Sequence, residues 1–302
     1  MLTSLIYALI LETFDSSYGT VAATLPPQIV AQGYAQNSVL TLGENRAVPE
    51  KITRSLGPVV EAAAVFSVEL ESGTPLLSTR IFDRRAIASI TKLVTAMVIL
   101  DNHKLDEVLT VSNNAAGQEG SRMWLKTGEE IRVEEAMRGL LISSGNDAAV
   151  ALAEYDAGSE EAFVKKMNDK AQALGLKNTH FSNSKGFDSQ YNYSTAFDVM
   201  VFSRAAFQYP FIRESAHTQS LEVQSADGSI THKLETTDEL LGDSDFAFRG
   251  LKTGTTPLAG ESFVSVVELY PGHTILTVVL GSRARFKETK IILDWIRRNY
   301  SF

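Results

Sequence analysis

The stretch Ala88-Ser89-Ile90-Thr91-Lys92-Leu93-Val94-Thr95-Ala96-Met97-Val98-Ile99-Leu100 decides how this chain is read. From Ile90 to Leu100 it is almost wholly apolar, the pattern of a helix buried on all sides rather than one with a wet face. Ser89 stands just ahead of that helix. Ser89 and Lys92, spaced i, i+3, then share one helical face, with the serine at the positive end of the helix dipole. A serine hydroxyl is a poor nucleophile without a base in hydrogen-bonding reach. A lysine can be that base only where desolvation or neighbouring cations lower its pKa, and an apolar helix supplies the desolvation. Taken alone, an S-x-x-K arises by chance in many chains of this length and reads as a structural serine.

Upstream, Glu61 to Leu70 reads as a buried strand, Ser72-Gly73-Thr74-Pro75 as a turn and Leu76 to Thr79 as the hairpin partner. Downstream, Val133, Ala136, Met137, Leu140 and Leu141 follow the spacing of a helix with one buried face, and a second helix begins close behind. Ser159 as N-cap, Glu160 and Glu161 in the first turn and Gly175 as the stop frame another helix. Thr195 with Asp198 resembles a capping box opening a helix through Phe207. The period then changes. Ser220 to Val223 with Ser229 to Leu234, and Ser262 to Leu269 with Thr274 to Leu280, read as two antiparallel hairpins. A helix from about Arg285 to Arg298, with Ile291, Ile292 and Trp295 on its apolar side, closes the chain. Strands at both ends with helices between them predict one mixed sheet whose ends meet, plus a helical insert.

Two further patterns follow Ser89-Ile90-Thr91-Lys92 in order: Ser144-Gly145-Asn146 and Lys252-Thr253-Gly254. The first lies where one helix ends and the next begins, a break that could project a hydroxyl and an amide into a cleft; in isolation it reads as a helix cap. The second precedes a strand and fits a sheet edge facing the nucleophile, where glycine lets a ligand approach the backbone. Lys126-Thr127-Gly128 carries the same three letters but precedes the serine-asparagine break, and reads as a surface turn.

The 302 residues, 44% of them hydrophobic, suffice for one large domain or two small ones with a real core. A net charge of −8 and no basic run give no footprint for nucleic acid. The absence of cysteine removes disulfides, thiolate nucleophiles and cysteine metal sites. The five histidines are scattered without an H-x-x-x-H pair, which argues against a Ser-His-Asp triad or a zinc site. His180 reads as structural, and Trp124 and Trp295 as packing residues. Leu2 to Leu11 is apolar, too short to span a bilayer and preceded by no basic residue. It reads equally as a truncated or atypical export signal and as a buried helix. Asp15 to about Gly57 reads as linker. The expected division is thus 1–57 as an export- or anchor-like segment with a linker, and 58–302 as a catalytic domain.

The ordered set S-x-x-K, S-x-N, K-T-G is that of penicillin-binding proteins and class A β-lactamases. With Leu141-Ile142-Ser143-Ser144-Gly145-Asn146-Asp147-Ala148, Leu174-Gly175-Leu176-Lys177-Asn178-Thr179-His180-Phe181 and Gly250-Leu251-Lys252-Thr253-Gly254, the chain from about Pro58 resembles the low-molecular-mass D-alanyl-D-alanine carboxypeptidases of peptidase family S11. The resemblance implies an α/β (α+β) fold of the β-lactamase/transpeptidase kind, a mainly antiparallel five-stranded sheet flanked by helices, with a helical subdomain. It implies Ser89 as acylated nucleophile, Lys92 as general base, Ser144 and Asn146 as proton relay and substrate holder, and Lys252 as the lysine completing the polar network. The amides of Ser89 and Thr255 would form the oxyanion hole. Arg285, assisted by Thr253 and with Gly254 open to the ligand, would bind the terminal carboxylate, for which a planar guanidinium fork is suited; Arg283 is the nearby alternative.

The resemblance further implies D-alanine removal from peptidoglycan stem peptides, β-lactams as covalent inhibitors, no cofactor or metal, and work outside the cytoplasmic membrane. The chain stops soon after the Trp295 helix. The family often carries a C-terminal β-rich domain and an amphipathic anchor; a C-terminal membrane anchor is not expected here, which leaves any anchoring to residues 1–57. A D,D-endopeptidase acting on cross-links would use the same machinery. A non-catalytic wall-binding protein is disfavoured by the full set of polar residues. No glutamate between Asn146 and Lys252 is followed by asparagine in an E-x-x-x-N arrangement, which argues against efficient β-lactam hydrolysis.

Overall fold

The computed structural model describes residues 48–302. The apolar Leu2 to Leu11 stretch and most of the 1–57 lead-in lie outside the described residues. The first strand, β1 (Glu50–Lys51), pairs antiparallel with Tyr300–Ser301, so the two ends of the described chain lie side by side ahead of Pro58. Trp295 Nε1 donates to Ser55 Oγ at 2.8 Å and holds the lead-in on the closing helix.

Strands β2 (Ala64–Glu69) and β3 (Pro75–Thr79) form the expected hairpin. Period-two alternation explains why β2 is buried along its whole length. Ala64, Phe66 and Val68 join the large core under the helical layer, while Val65 joins a second core on the opposite face. A 3-10 turn (Ala88–Thr91) then leads into helix α1 (Lys92–Asn102), buried from Lys92 to Ile99 as its all-round apolar sequence requires.

The helical layer follows. Strand β4 (Val108–Thr110), the one-turn helix α2 (Asn113–Ala116) and strand β5 (Glu130–Arg132) precede α3 (Val133–Leu141) and α4 (Asn146–Ala157). Next come α5 (Glu160–Ala173), α6 (Ala196–Ala206) and α7 (Pro210–His217). The expected caps are in place, with Ser159 Oγ accepting from Ala162 N at 3.1 Å and Thr195 Oγ1 from Asp198 N at 3.1 Å. Helix α1 is the hub, packed against α3, α4, α5 and α6.

Hairpin β6 (Ser220–Gln224) and β7 (Thr231–Glu235) stands apart from the main sheet. The chain then lays down β8 (Ala247–Thr256), β9 (Gly260–Tyr270) and β10 (His273–Ser282) and ends in α8 (Arg285–Asn299) and β11 (Tyr300–Ser301). The five-stranded sheet runs β3-β2-β10-β9-β8 with every neighbouring pair antiparallel. Ile292, Leu293 and Ile296 of α8 cover one face with Val65, Phe263 and Val279. The helical layer covers the other. Strand β8 is the sheet edge, and it packs against the 3-10 turn that carries Ser89.

Candidate active site

The 3-10 turn brings Ser89 to the foot of α1 and directs Lys92 into the core. Lys92 Nζ lies 2.8 Å from Ser89 Oγ, 2.7 Å from Asn146 Oδ1 and 2.8 Å from the Lys185 carbonyl oxygen. The two carbonyl oxygens can only accept, so each takes an N–H; the third partner, a hydroxyl, can donate. Lys92 Nζ donates to all three oxygens, and the Ser89 hydroxyl in turn donates to the Lys185 carbonyl at 3.5 Å; an amine that has lost a proton would present its lone pair to Ser89. Burial pushes the Lys92 ammonium well below the ordinary lysine range; the Lys252 and Lys185 charges add to the effect and Asp147 opposes it. The arrangement sets a serine hydroxyl against a buried amine whose charged form burial disfavours.

Asn146 opens α4 and is held from both ends. Its Nδ2 donates to the Glu119 carbonyl at 2.6 Å and its backbone N–H to the Ser121 carbonyl at 2.7 Å. Beneath it the buried Asp147 carboxylate accepts from the amides of Met123, Trp124, Leu125 and Ala148 at 2.8–3.1 Å, which fixes the 121–125 loop against the site. Ser144, buried in the break between α3 and α4, takes a left-handed backbone with φ 57°. Ala88, next to Ser89, does so with φ 48°. Non-glycine residues rarely adopt that region, and here they flank Ser89 and Asn146. Ser144 lies two residues ahead of Asn146, and the hydrogen bonds of Lys92 run to Ser89, Asn146 and Lys185 rather than to it.

Strand β8 forms the opposite wall. A Cβ added at Gly254 would lie 2.9 Å from Ser89 N and 3.1 Å from the Ile87 carbonyl oxygen, so only glycine lets the strand pass this close to the turn. Lys252 is buried, and desolvation together with Arg285 brings its ammonium down to about 7 against the opposing charge of Asp238. The Thr253 hydroxyl bonds to that of Thr237. Arg285, the first residue of α8, donates to the Gly254 carbonyl at 3.2 Å and to Thr255 Oγ1. Arg283 is exposed, and Arg285 is the arginine brought to this wall.

Several contributors carry no motif of their own. The Lys185 carbonyl reaches Lys92 because its loop is anchored from below: Thr95 Oγ1 donates to the Ser184 carbonyl at 2.6 Å, and Glu160 accepts from Ser184 and pairs with Lys185 at 3.1 Å. Gly186, at φ 86°, lets this loop cross the Ala88 carbonyl, which an added Cβ would meet at 2.0 Å. Asp238 is buried behind Lys252 and was not legible as a site residue. Trp124, expected to pack inward, is 59% exposed. The neighbouring Met123 and Leu125 are the buried pair, and the left-handed turn at Trp124, φ 71°, swings its ring outward beneath the Arg122 guanidinium at 3.9 Å. Among the described residues no group of His, Asp and Glu side chains stands where it could hold a metal ion.

Against known proteins, the family model described as D-alanyl-D-alanine carboxypeptidase, peptidase S11, matches residues 51–284. The chain belongs to the peptidase S11 family. Among S11 relatives, D-alanyl-D-alanine carboxypeptidase DacD of Escherichia coli is 31% identical over 265 residues, covering 81% of this chain and 65% of the relative. A D-alanyl-D-alanine endopeptidase of Pseudomonas aeruginosa is 31% identical over 273 residues, covering 86% and 87%. The crystal structure of the Streptomyces K15 DD-transpeptidase superposes with a TM-score of 0.74 at 29% identity, covering 80% of this chain and 99% of that one. The five-stranded sheet with its helical layer is thus the transpeptidase-like fold. This S11 chain spans less than two thirds of the length of the curated carboxypeptidases it matches first.

Proposed function

We propose that the chain is a serine D-Ala-D-Ala carboxypeptidase acting on peptidoglycan stem peptides. The observation that carries this reading is the fully buried Lys92 amine 2.8 Å from the Ser89 hydroxyl, where burial disfavours its charge. Ser89 Oγ attacks the carbonyl carbon of the terminal D-Ala-D-Ala bond while its proton passes to Lys92 Nζ. The developing oxyanion falls to the amides of Ser89 and Thr255, which preorganised donors stabilise only as charge appears. The C–N bond breaks, the proton returns to the leaving amine, and D-alanine departs with its carboxylate on Arg285. Water then attacks the Ser89 ester and the proton cycle repeats. Asn146 holds the penultimate part of the peptide, and Ser144 with Lys252 carries the proton between the cleft walls. Thr253 and Gly254 line the carboxylate end. A β-lactam, a cyclic amide of the same shape, acylates Ser89 and stays there.

Such a substrate lies outside the cytoplasmic membrane, and the chain is proposed to act there. Among the described residues no helix is long and apolar enough to cross a membrane. A second reading, a D,D-endopeptidase cleaving cross-links, is favoured by one observation: the match to the Pseudomonas endopeptidase covers nearly the whole of both chains. Mass spectrometry of pentapeptide monomers and cross-linked dimers, incubated with the wild type and with Ser89→Ala, separates the two. Loss of one alanine from monomers, abolished by the substitution, is the expected result. Dimers falling to monomers would establish the endopeptidase, and no change in either would overturn both.

A further inference from the structure

The mechanism leaves one buried acid of the cleft unused. Asp238 sits on the loop between β7 and β8 and is 6% exposed. Its Oδ1 accepts from the Leu240 amide at 2.9 Å, while Oδ2, equally shut away from solvent, has no hydrogen-bond partner among the described residues. One residue earlier the loop is tied to the Lys-Thr-Gly strand by the Thr237–Thr253 hydroxyl pair. A buried carboxylate with half of its lone pairs idle is unfavourable unless opposite charge offsets it. The charges that face it are Lys252 on β8 and Arg285 at the start of α8, with Glu239 on its own loop acting against them.

Lys92 and Lys252 are two buried amines in one cleft, and in so dry a place their titrations are coupled: a proton on one disfavours a proton on the other. The acids are divided between them. Asp147 lies on the Lys92 side with its oxygens already occupied by four backbone N–H groups. Asp238 lies on the Lys252 side with an oxygen unengaged. We propose that Asp238 is a positioning residue for the proton of this pair: its charge holds the proton on Lys252 and so leaves Lys92 as the free base facing Ser89. The proposal rests on the reading of Ser89 and Lys92 as nucleophile and base. Burial brings the Asp238 carboxyl up to about 6, against the Leu240 amide, Arg285 and Lys252, so it carries its charge at neutral pH and gives it up in mild acid.

Asp238→Asn keeps the shape and the acceptor for Leu240 while removing the charge. Lys252 should then titrate lower by about one pH unit. Lys92, relieved of the Lys252 charge, should titrate higher. Both limbs of the pH profile for acylation by a fluorescent penicillin therefore close inward, whereas a purely structural role would lower the rate with the limbs in place. A readout independent of activity is 13Cε-lysine NMR of the full chain, with the Lys252 signal assigned through Lys252→Arg. A downward shift of that transition is expected, and an unmoved transition overturns the proposal. Failure of the wild type to be acylated would count against the acyl-transfer reading alone. Should Asp238→Asn not fold, the wild-type spectrum decides: the Lys252 signal must show a second inflection at the Asp238 titration near about pH 6, and its absence overturns the proposal.

Discussion

Lys126-Thr127-Gly128 and Lys252-Thr253-Gly254 are the same tripeptide in two surroundings. The first is an exposed turn between β4 and β5, where Gly128 takes φ 80° and donates to the Val111 carbonyl at 2.8 Å. A Cβ added there would meet nothing within 4 Å. The second is buried in the edge strand of the sheet, its lysine desolvated to about 7 and its glycine pressed against the Ser89 amide. Chemistry is conferred by burial and by what stands opposite, not by the letters. In the exposed copy glycine serves the backbone angle; in the buried copy it serves the space.

Gly254→Ala sets that difference to its hardest test. The added methyl would displace the Ser89 amide and the strand from each other, and acylation is expected to fall by about 10²-fold or more, as small misplacements of a reacting group do. Stopped-flow acylation with a fluorescent penicillin measures it, and an unchanged rate would break the comparison.

Lys252→Met probes the burial directly through stability. The lysine titrates at its ordinary 10.5 in the unfolded chain and at about 7 in the folded one. Between those values the unfolded chain binds more protons, so the lysine's contribution to stability rises with pH across that window. Below it the full penalty for burying the charge is present. Lys252→Met should therefore stabilise the fold at mildly acid pH, by up to about 5 kcal/mol, with the gain fading as pH climbs towards the ordinary lysine value. Denaturant unfolding at a series of pH values checks both sign and window. The smallest effects belong to the exposed copy. Gly128→Ala should cost about 1 kcal/mol through its left-handed backbone, Lys126→Ala no more than about 0.5 kcal/mol, and neither should alter acylation.

What the sequence revealed divides along the same line between local and long-range causes. Helix α1 was legible because eleven nearly unbroken apolar residues admit no other reading, and α5 and α6 because Ser159 and Thr195 cap them locally. The Lys92–Ser89 pairing follows from i, i+3 spacing alone. Strands β4 and β5, three residues each, are too short for a period, and α7 gave only Pro210 at its start. The Lys185 carbonyl is a backbone atom with no signature in sequence, and it acts because Glu160, 24 residues from Ser184, anchors its loop. Asp238, within Thr236-Thr237-Asp238-Glu239, looks like any polar turn; its burial comes from where the strand edge and α8 meet. Trp124 misleads because a large aromatic is normally core, and its outward turn depends on the Asp147 clamp across the chain.

The most direct test of the account is to incubate the protein with benzylpenicillin, weigh it intact and map the adduct by peptide mass spectrometry. A mass gain of one inhibitor molecule located on Ser89, and absent from Ser89→Ala, is the predicted result. No adduct, or an adduct on any other residue, would contradict the assignment of Ser89 and Lys92 as nucleophile and base.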